Sequence, residues 1–250
     1  MNVLSELNRE VGHLTKSRFV VLCLLATLVM SGLAVHSGQQ EIMSQQSLIA
    51  ELIDLDNDER ELVRTAQSDW GGLAYASFHF VYNKPSSFAF AALGQRESEP
   101  WKHRIRALAL EGQVYERDAG NPVLALVGSF DFAFFAGIVV PLLLIVLLHD
   151  LKSHERESRR LSLLVANSGS ASSPFRVRAL LISIVVALAS GIPLIIGALS
   201  SGTSAAVLGA ALLALILNIG LWSCLCYLVA NGEQASSNLL GRLLGCWVAL

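Results

Sequence analysis

The chain has 250 residues, 53% of them hydrophobic and only 15% charged, with a mean hydropathy of +0.54 and a formal net charge of −2. A soluble domain of this length carries about 25% charge, so a water-soluble globular class is disfavoured, and a balance this close to neutral offers no electrostatic basis for nucleic-acid binding. The charge is also segregated: of the 18 Lys and Arg, none lies between Ala179 and Arg242, a gap too long for a soluble helix pair and suited to membrane.

Met1 to Arg18 is polar and weakly amphipathic, with Arg9, Lys16 and Arg18. Phe19 to Val35 is apolar and uncharged, at the short end of the ~20 residues that a spanning helix needs. A cleaved signal peptide is the rival reading, but the leader is long and polar, and Ala34-Val35-His36 makes a mediocre cleavage site. An uncleaved first span over 19–35 is expected, with residues 1–18 cytoplasmic because Lys16 and Arg18 precede it.

Residues 36–131 then form an extracytoplasmic segment. Ile42, Leu48-Ile49, Leu52-Ile53 and Leu62-Val63 recur at three- and four-residue steps and predict an amphipathic helix. An aromatic cluster follows (Tyr75, Phe78, Phe80, Tyr82), and then two turn signals, Asn83 to Ser87 and Asp118 to Pro122. Asp54, Asp56 and Asp58 have calcium-loop spacing, but Glu59 stands where the loop needs Gly and Thr65 where it needs Glu; a solvated acidic helix face is expected instead. His79 and His103 lack a third ligand, so no metal site is expected.

Phe132 to Leu148 predicts the second span (132–149), with Pro141 inside it, where a neighbouring helix would have to satisfy the freed carbonyl. Asp150 to Arg178 carries Lys152, Arg156, Arg159, Arg160, Arg176 and Arg178. Six basic residues in a short loop are the strongest topological mark in the chain and put segment 150–178 in the cytoplasm. The third span is expected over 179–199 and the fourth over 204–230. Ala206, Ala210 and Ala214 form a small-residue ridge for close helix packing. A fifth apolar run over 239–250 contains Gly241 and Gly245 at the same spacing. It stops at about half the length of a span, which reads as a C-terminally truncated chain.

The cysteines, Cys23, Cys224, Cys226 and Cys246, all fall in apolar runs and indicate no disulfide framework or zinc knuckle. No phosphate-loop or dinucleotide glycine pattern is present, and no metalloprotease or hydrolase signature. The spans hold no ionisable residue in mid-membrane, and Asn218 is their most polar group. Ion-coupled transporters place carboxylates or His there, so a membrane part driven from outside is the better expectation.

From Trp70 to Leu164 the chain resembles ABC-2-type permeases, in particular the bacterial subgroup with a large extracytoplasmic insertion between the first two spans. The resemblance rests on Tyr75-Ala-Ser-Phe78-His79, Pro85-Ser-Ser-Phe-Ala-Phe90, Leu93-Gly-Gln-Arg96, Ala109-Leu-Glu-Gly-Gln113-Val-Tyr-Glu116, Ala119-Gly-Asn-Pro122 and Phe130-Asp-Phe132. It continues through the cytoplasmic run from Asp150 to Leu164, which in such permeases reads like D-x-x-S-G-E-R-E-x-G-T-L-x-L-L. Here His154 replaces the first Gly, and Arg159-Arg160 replace the Gly-Thr pair.

The resemblance implies an all-α polytopic membrane protein, a helix bundle with a mainly helical extracytoplasmic insertion between helices 1 and 2 and six spans in the complete chain. It implies a permease subunit, an exporter, in the bacterial inner membrane. The protein would not itself be an enzyme: it would hold no cofactor, and a separate nucleotide-binding subunit would hydrolyse ATP with Mg. Expected partners are that ATPase subunit, a second copy or a homologous permease, and the lipid bilayer, with room for an extracytoplasmic partner. The expected coupling segment comprises Asp150, Ser153, Glu155, Arg156, Glu157, Arg159, Leu163 and Leu164, with charges setting register and leucines anchoring in a partner groove. The alternative is a membrane-anchored sensor or scaffold. Nothing in the sequence names a substrate.

Overall fold

A computed structural model of the chain describes residues 3–94, 101–106, 130–168, 173–232 and 235–249. It is mostly helical and divides into two compact units, residues 1–35 with 132–250, and residues 36–131. Four helices are long and apolar enough to cross a membrane: Arg18–Ala66, Phe132–Glu157, Pro174–Ser200 and Ala205–Ala230. The motifs of the sequence at Ala109 to Glu116 and Ala119 to Pro122 lie outside the described residues.

In the first unit, α1 (Val3–Lys16) is a short amphipathic helix. Helix α2 (Arg18–Ala66) follows and continues without a break into the second unit. The expected separation between a first span and a following soluble helix is therefore not a break in backbone: one 49-residue helix serves both, roughly 73 Å at 1.5 Å per residue. No proline interrupts it, and Gly38, just past the expected boundary at 35/36, has a structural use. A Cβ there would collide with the carbonyl of Phe90, so glycine is what lets the buried Phe90 turn close on the helix.

The second unit holds the later part of α2, α3 (Trp70–Ala76), a 3-10 turn (Ala89–Ala91) and an antiparallel pair, β1 (Phe78–Tyr82) with β2 (Lys102–Arg106). Asp69 caps α3 through its side chain, which accepts from Gly72 N. The strands are a feature that the expectation of a mainly helical insertion did not contain. Phe78, Phe80 and Tyr82 alternate along β1, and the exposure of β1 alternates with them, as a half-covered strand requires. Phe90, Ala91 and Leu93 are buried, and Asp131, also buried, accepts a hydrogen bond from Leu93 N at 2.8 Å.

In the first unit the second span, α4, starts as α-helix over Phe132–Phe134, widens to a π-helix over Phe135–Val139 and returns to α over Val140–Leu148. Short helices α5 (Ser153–Glu157) and α6 (Leu161–Ser168) follow, then α7 (Ser173–Ser200), α8 (Ala205–Ala230) and α9 (Ser236–Ala249). The core of this unit runs through Phe135, Val140, Leu144, Ile145 and Leu148 of α4, Ile182, Val186 and Leu194 of α7, and Leu215, Ile219, Trp222 and Cys226 of α8. The last four recur at steps of three and four and set the buried face of α8.

The π-helix has a local cause. Val140 N–H bonds to Phe135 O, five residues back, and Pro141 has no N–H to give. The carbonyl of Ala136 is thus left without either of its normal backbone donors. Asn218 supplies one: its Nδ2 donates to Ala136 O at 2.8 Å. Trp247 Nε1 donates to Ile138 O at 3.3 Å. In hydrocarbon no water can serve these carbonyls, so the most polar group in the spans repairs the defect made by the proline.

Candidate functional site

The segment between α4 and α7 is where a chain made for hydrocarbon becomes one made for water. It has two faces. Leu151, Ser153 and Glu155 are buried, while His154, Glu157, Ser158, Arg159 and Arg160 are exposed. Asp150 and Arg156 are half-buried, and Leu163 is 71% exposed. Leu164 lies on α6; its side chain is outside the described set. Two of the expected site residues, Ser153 and Glu155, thus face the interior of the chain, and Glu157, Arg159 and Leu163 face outward.

Glu155 faces inward because it is one arm of a charge cluster. Arg178, at the start of α7, donates from Nε to Glu10 Oε2 at 2.7 Å and from Nη1 to Glu155 Oε1 at 3.1 Å. Arg9 donates from Nη2 to the other oxygen of Glu10 at 3.2 Å. Three elements distant in sequence, α1, α5 and α7, are pinned by one guanidinium. The fork of Arg suits this, since its donors diverge in one plane and its charge is permanent. Two carboxylates against two guanidiniums leave the cluster near neutral, which is what permits its burial. Ser153 Oγ and Arg9 Nη1 are buried with no hydrogen-bond partner among the described residues.

A second tie holds the segment from the other side. Lys152 Nζ reaches Asn231 at the end of α8, at 3.3 Å from Oδ1 and 3.4 Å from the backbone oxygen. His149 Nδ1 lies 3.0 Å from Val146 O and 3.2 Å from Ile145 O, so its ring folds back on the end of α4.

Helix α5 ends in a two-bond cap. Arg160 N–H bonds to Glu155 O at 2.9 Å and Arg159 N–H to Arg156 O at 3.1 Å. This is the Schellman pattern, and it puts the residue after the cap in left-handed conformation. That residue is Arg159, with φ 57°; among the described residues no other non-glycine has positive φ. It stands at the position that the permease pattern fills with Gly, so the departure of the sequence from that pattern meets a backbone that glycine fits better.

Glu10 and Arg178 were not among the expected site residues. In the sequence Arg178 is one of six positive charges in the segment 150–178 and nothing more. Glu10 carried a signal: Leu7, Glu10 and Leu14 share one side of α1, and an acid on the covered side of an amphipathic helix implies a buried partner. The small-residue ridges behave differently from the expectation of helix packing. Ala206, Ala210, Ala214, Gly241 and Gly245 are all exposed, and α8 packs within the chain through Leu215, Ile219, Trp222 and Cys226 instead.

In the second unit, Asp54, Asp56 and Asp58 lie on one continuous helix, and Asp56 Oδ2 pairs with Arg60 at 2.8 Å. His79 and His103 fall on the same side of the ribbon, because His103 is opposite Val81. Arg60 Nη2 approaches His79 Nδ1 at 2.9 Å, so a metal at that nitrogen would have to displace a cation. No protein-family model, curated protein or solved structure matches the chain.

Proposed function

We propose that the chain is the membrane-spanning permease subunit of an ATP-binding cassette transporter, an exporter of the bacterial inner membrane with its N-terminus in the cytoplasm. It works with a second copy or a homologous permease. A separate nucleotide-binding subunit docks on the outward face of the segment from His154 to Leu163 and hydrolyses ATP with Mg there, so that this chain holds no cofactor.

One observation carries the reading. The cytoplasmic segment is fastened from within by Arg178, Glu10 and Glu155 and from the side by Lys152, while it offers charges and Leu163 to the outside. A loop that only satisfied the positive-inside tendency needs no such fastening. A segment that takes a push and moves α4 and α7 does, because a loosely held lever absorbs the displacement. In this division of labour Glu155 positions the segment and Glu157, Arg159, Arg160 and Leu163 meet the partner.

The test is mild-detergent purification of the chain from native membranes. The expected result is co-purification of an ATPase with a phosphate-loop sequence, whose activity in proteoliposomes depends on this chain. Repeated recovery without any such ATPase contradicts the proposal and favours the membrane-anchored sensor reading.

A further inference from the structure

Helix α2 separates two kinds of exposed apolar residue. Phe19, Leu22, Leu25, Val29 and Leu33 lie in the uncharged stretch that reads as a span, where lipid covers them. Leu48, Leu55 and Leu62 are 40%, 53% and 69% exposed as well. They lie in a stretch that also carries Glu51, Asp54, Asp56, Asp58, Glu59, Arg60, Glu61 and Arg64, too much charge for hydrocarbon. Lipid does not reach them.

The three leucines are spaced by seven residues and therefore form one line along α2. Glu51 and Asp58 lie between them, and both are exposed. Asp54 and Glu61, exposed as well, flank the line on the same side. The arginines of this stretch, Arg60 and Arg64, are rotated roughly 140° and 180° from Leu55 at about 100° per residue, and Arg60 is engaged with Asp56 and His79. The packed side of the helix, marked by the buried Gln45, Ile49 and Asp56, is also turned away. What remains is a water-facing stripe that alternates leucine with carboxylate.

We infer that this stripe is a docking face for a basic amphipathic helix of a partner protein, with the partner's apolar residues between the leucines and its Lys or Arg against Glu51 and Asp58. Charge complementarity selects this occupant over a second copy of the chain. Two copies in one membrane run parallel, and pairing along the stripe would place Glu51 against Glu51 and Asp58 against Asp58 at the seam, a like-charge juxtaposition that opposes association. A helix of opposite charge gains at the same positions. Burying the leucines supplies affinity, and the carboxylates supply the choice of partner. The inference stands without the proposed transport function.

The experiment uses the full chain in nanodiscs of neutral lipid and two fluorescent synthetic peptides. Both are about four heptads long with Leu at the two core positions of each heptad; one carries Lys at the flanking positions and the other Glu. Anisotropy is expected to report binding of the Lys peptide and none of the Glu peptide. Leu55→Gln with Leu62→Gln should weaken binding by about tenfold or more, and Glu51→Lys with Asp58→Lys should abolish the preference for the Lys peptide. All four positions are exposed, so these variants retain the fold, which circular dichroism checks. The inference is overturned if the two peptides bind alike, if the Lys peptide fails to bind or binds empty nanodiscs equally, or if the variants bind as the unmodified chain does. It is also overturned if Leu55→Cys cross-links chain to chain at high lipid dilution, which would give the stripe to a second copy.

Discussion

Arg178 joins two buried carboxylates, Glu10 and Glu155. Its removal leaves Glu10 and Glu155 buried and facing each other. Breaking a buried ion pair by deleting one partner costs about 3–5 kcal/mol, so Arg178→Met is expected to lower the thermal stability of the purified chain markedly. Adding Glu155→Gln should restore much of it, because the carboxylate that has lost Arg178 is then gone while Glu10 keeps Arg9. Restoration is the informative arm, since no simple loss of packing predicts it. Arg159 makes the opposite prediction. Its left-handed backbone (φ 57°) costs about 1 kcal/mol in a side chain with a Cβ, so Arg159→Gly is expected to stabilise the end of α5 by about that amount, read as slower amide exchange over residues 153–160. Little of this was legible in the sequence. Glu10 and Arg178 are separated by 168 residues, and no local periodicity connects them. The substitution at 159 was visible as a departure from a pattern, but its meaning needed the backbone angle.

Among the elements, the spans were legible because apolar runs of the right length have one dominant explanation in a chain with so little charge. Where backbone and side chain must cooperate across helices, the sequence offered only the parts. Pro141 and Asn218 were each conspicuous, one for its missing donor and one for its polarity. Their meeting at Ala136 O follows from how α8 packs on α4, which no window of sequence contains. The pairing predicts a coupled response. Asn218→Leu should cost about 1 kcal/mol. In a Pro141→Ala background the cost should vanish, because the new N–H lets α4 return to an α-helix and satisfy its own carbonyls. Equal costs in both backgrounds, measured as a double-mutant cycle on unfolding in detergent, would contradict this account of the π-helix. The strands show a different limit. The alternation Phe78, Phe80, Tyr82 is a period-two signal, but it reads as an aromatic cluster unless β2 is known to pair with it. Continuity through Gly38 was also hidden, since glycine is a common helix terminator and here marks a close approach to Phe90.

At the scale of the whole molecule, the proposed function places the entry of force at the charged segment between the second and third of the four helices long and apolar enough to cross a membrane. Segment 150–168 is tied to α1 and α7 through Arg178 and to α8 through Lys152, so a displacement applied to its outer face is passed to several helices at once. The inner and outer faces should therefore fail differently. Inner-face changes such as Arg178→Met destabilise the chain itself. Under the proposed permease function, outer-face changes are expected to leave the chain stable and to cost it the ATPase subunit. The sequence supplied the segment and its charge but not this division, because buried and exposed residues alternate over short, capped helices too brief to display a period.

The most direct measurement is therefore a comparison of partner binding and stability in one outer-face variant. The chain carrying Arg159→Glu, Arg160→Glu and Leu163→Asp is purified from native membranes beside the unmodified chain, with the co-purifying ATPase quantified and the melting temperature recorded for each. The account predicts that the variant melts like the unmodified chain and loses the phosphate-loop ATPase. An ATPase recovered equally with both chains, or with neither, would contradict it.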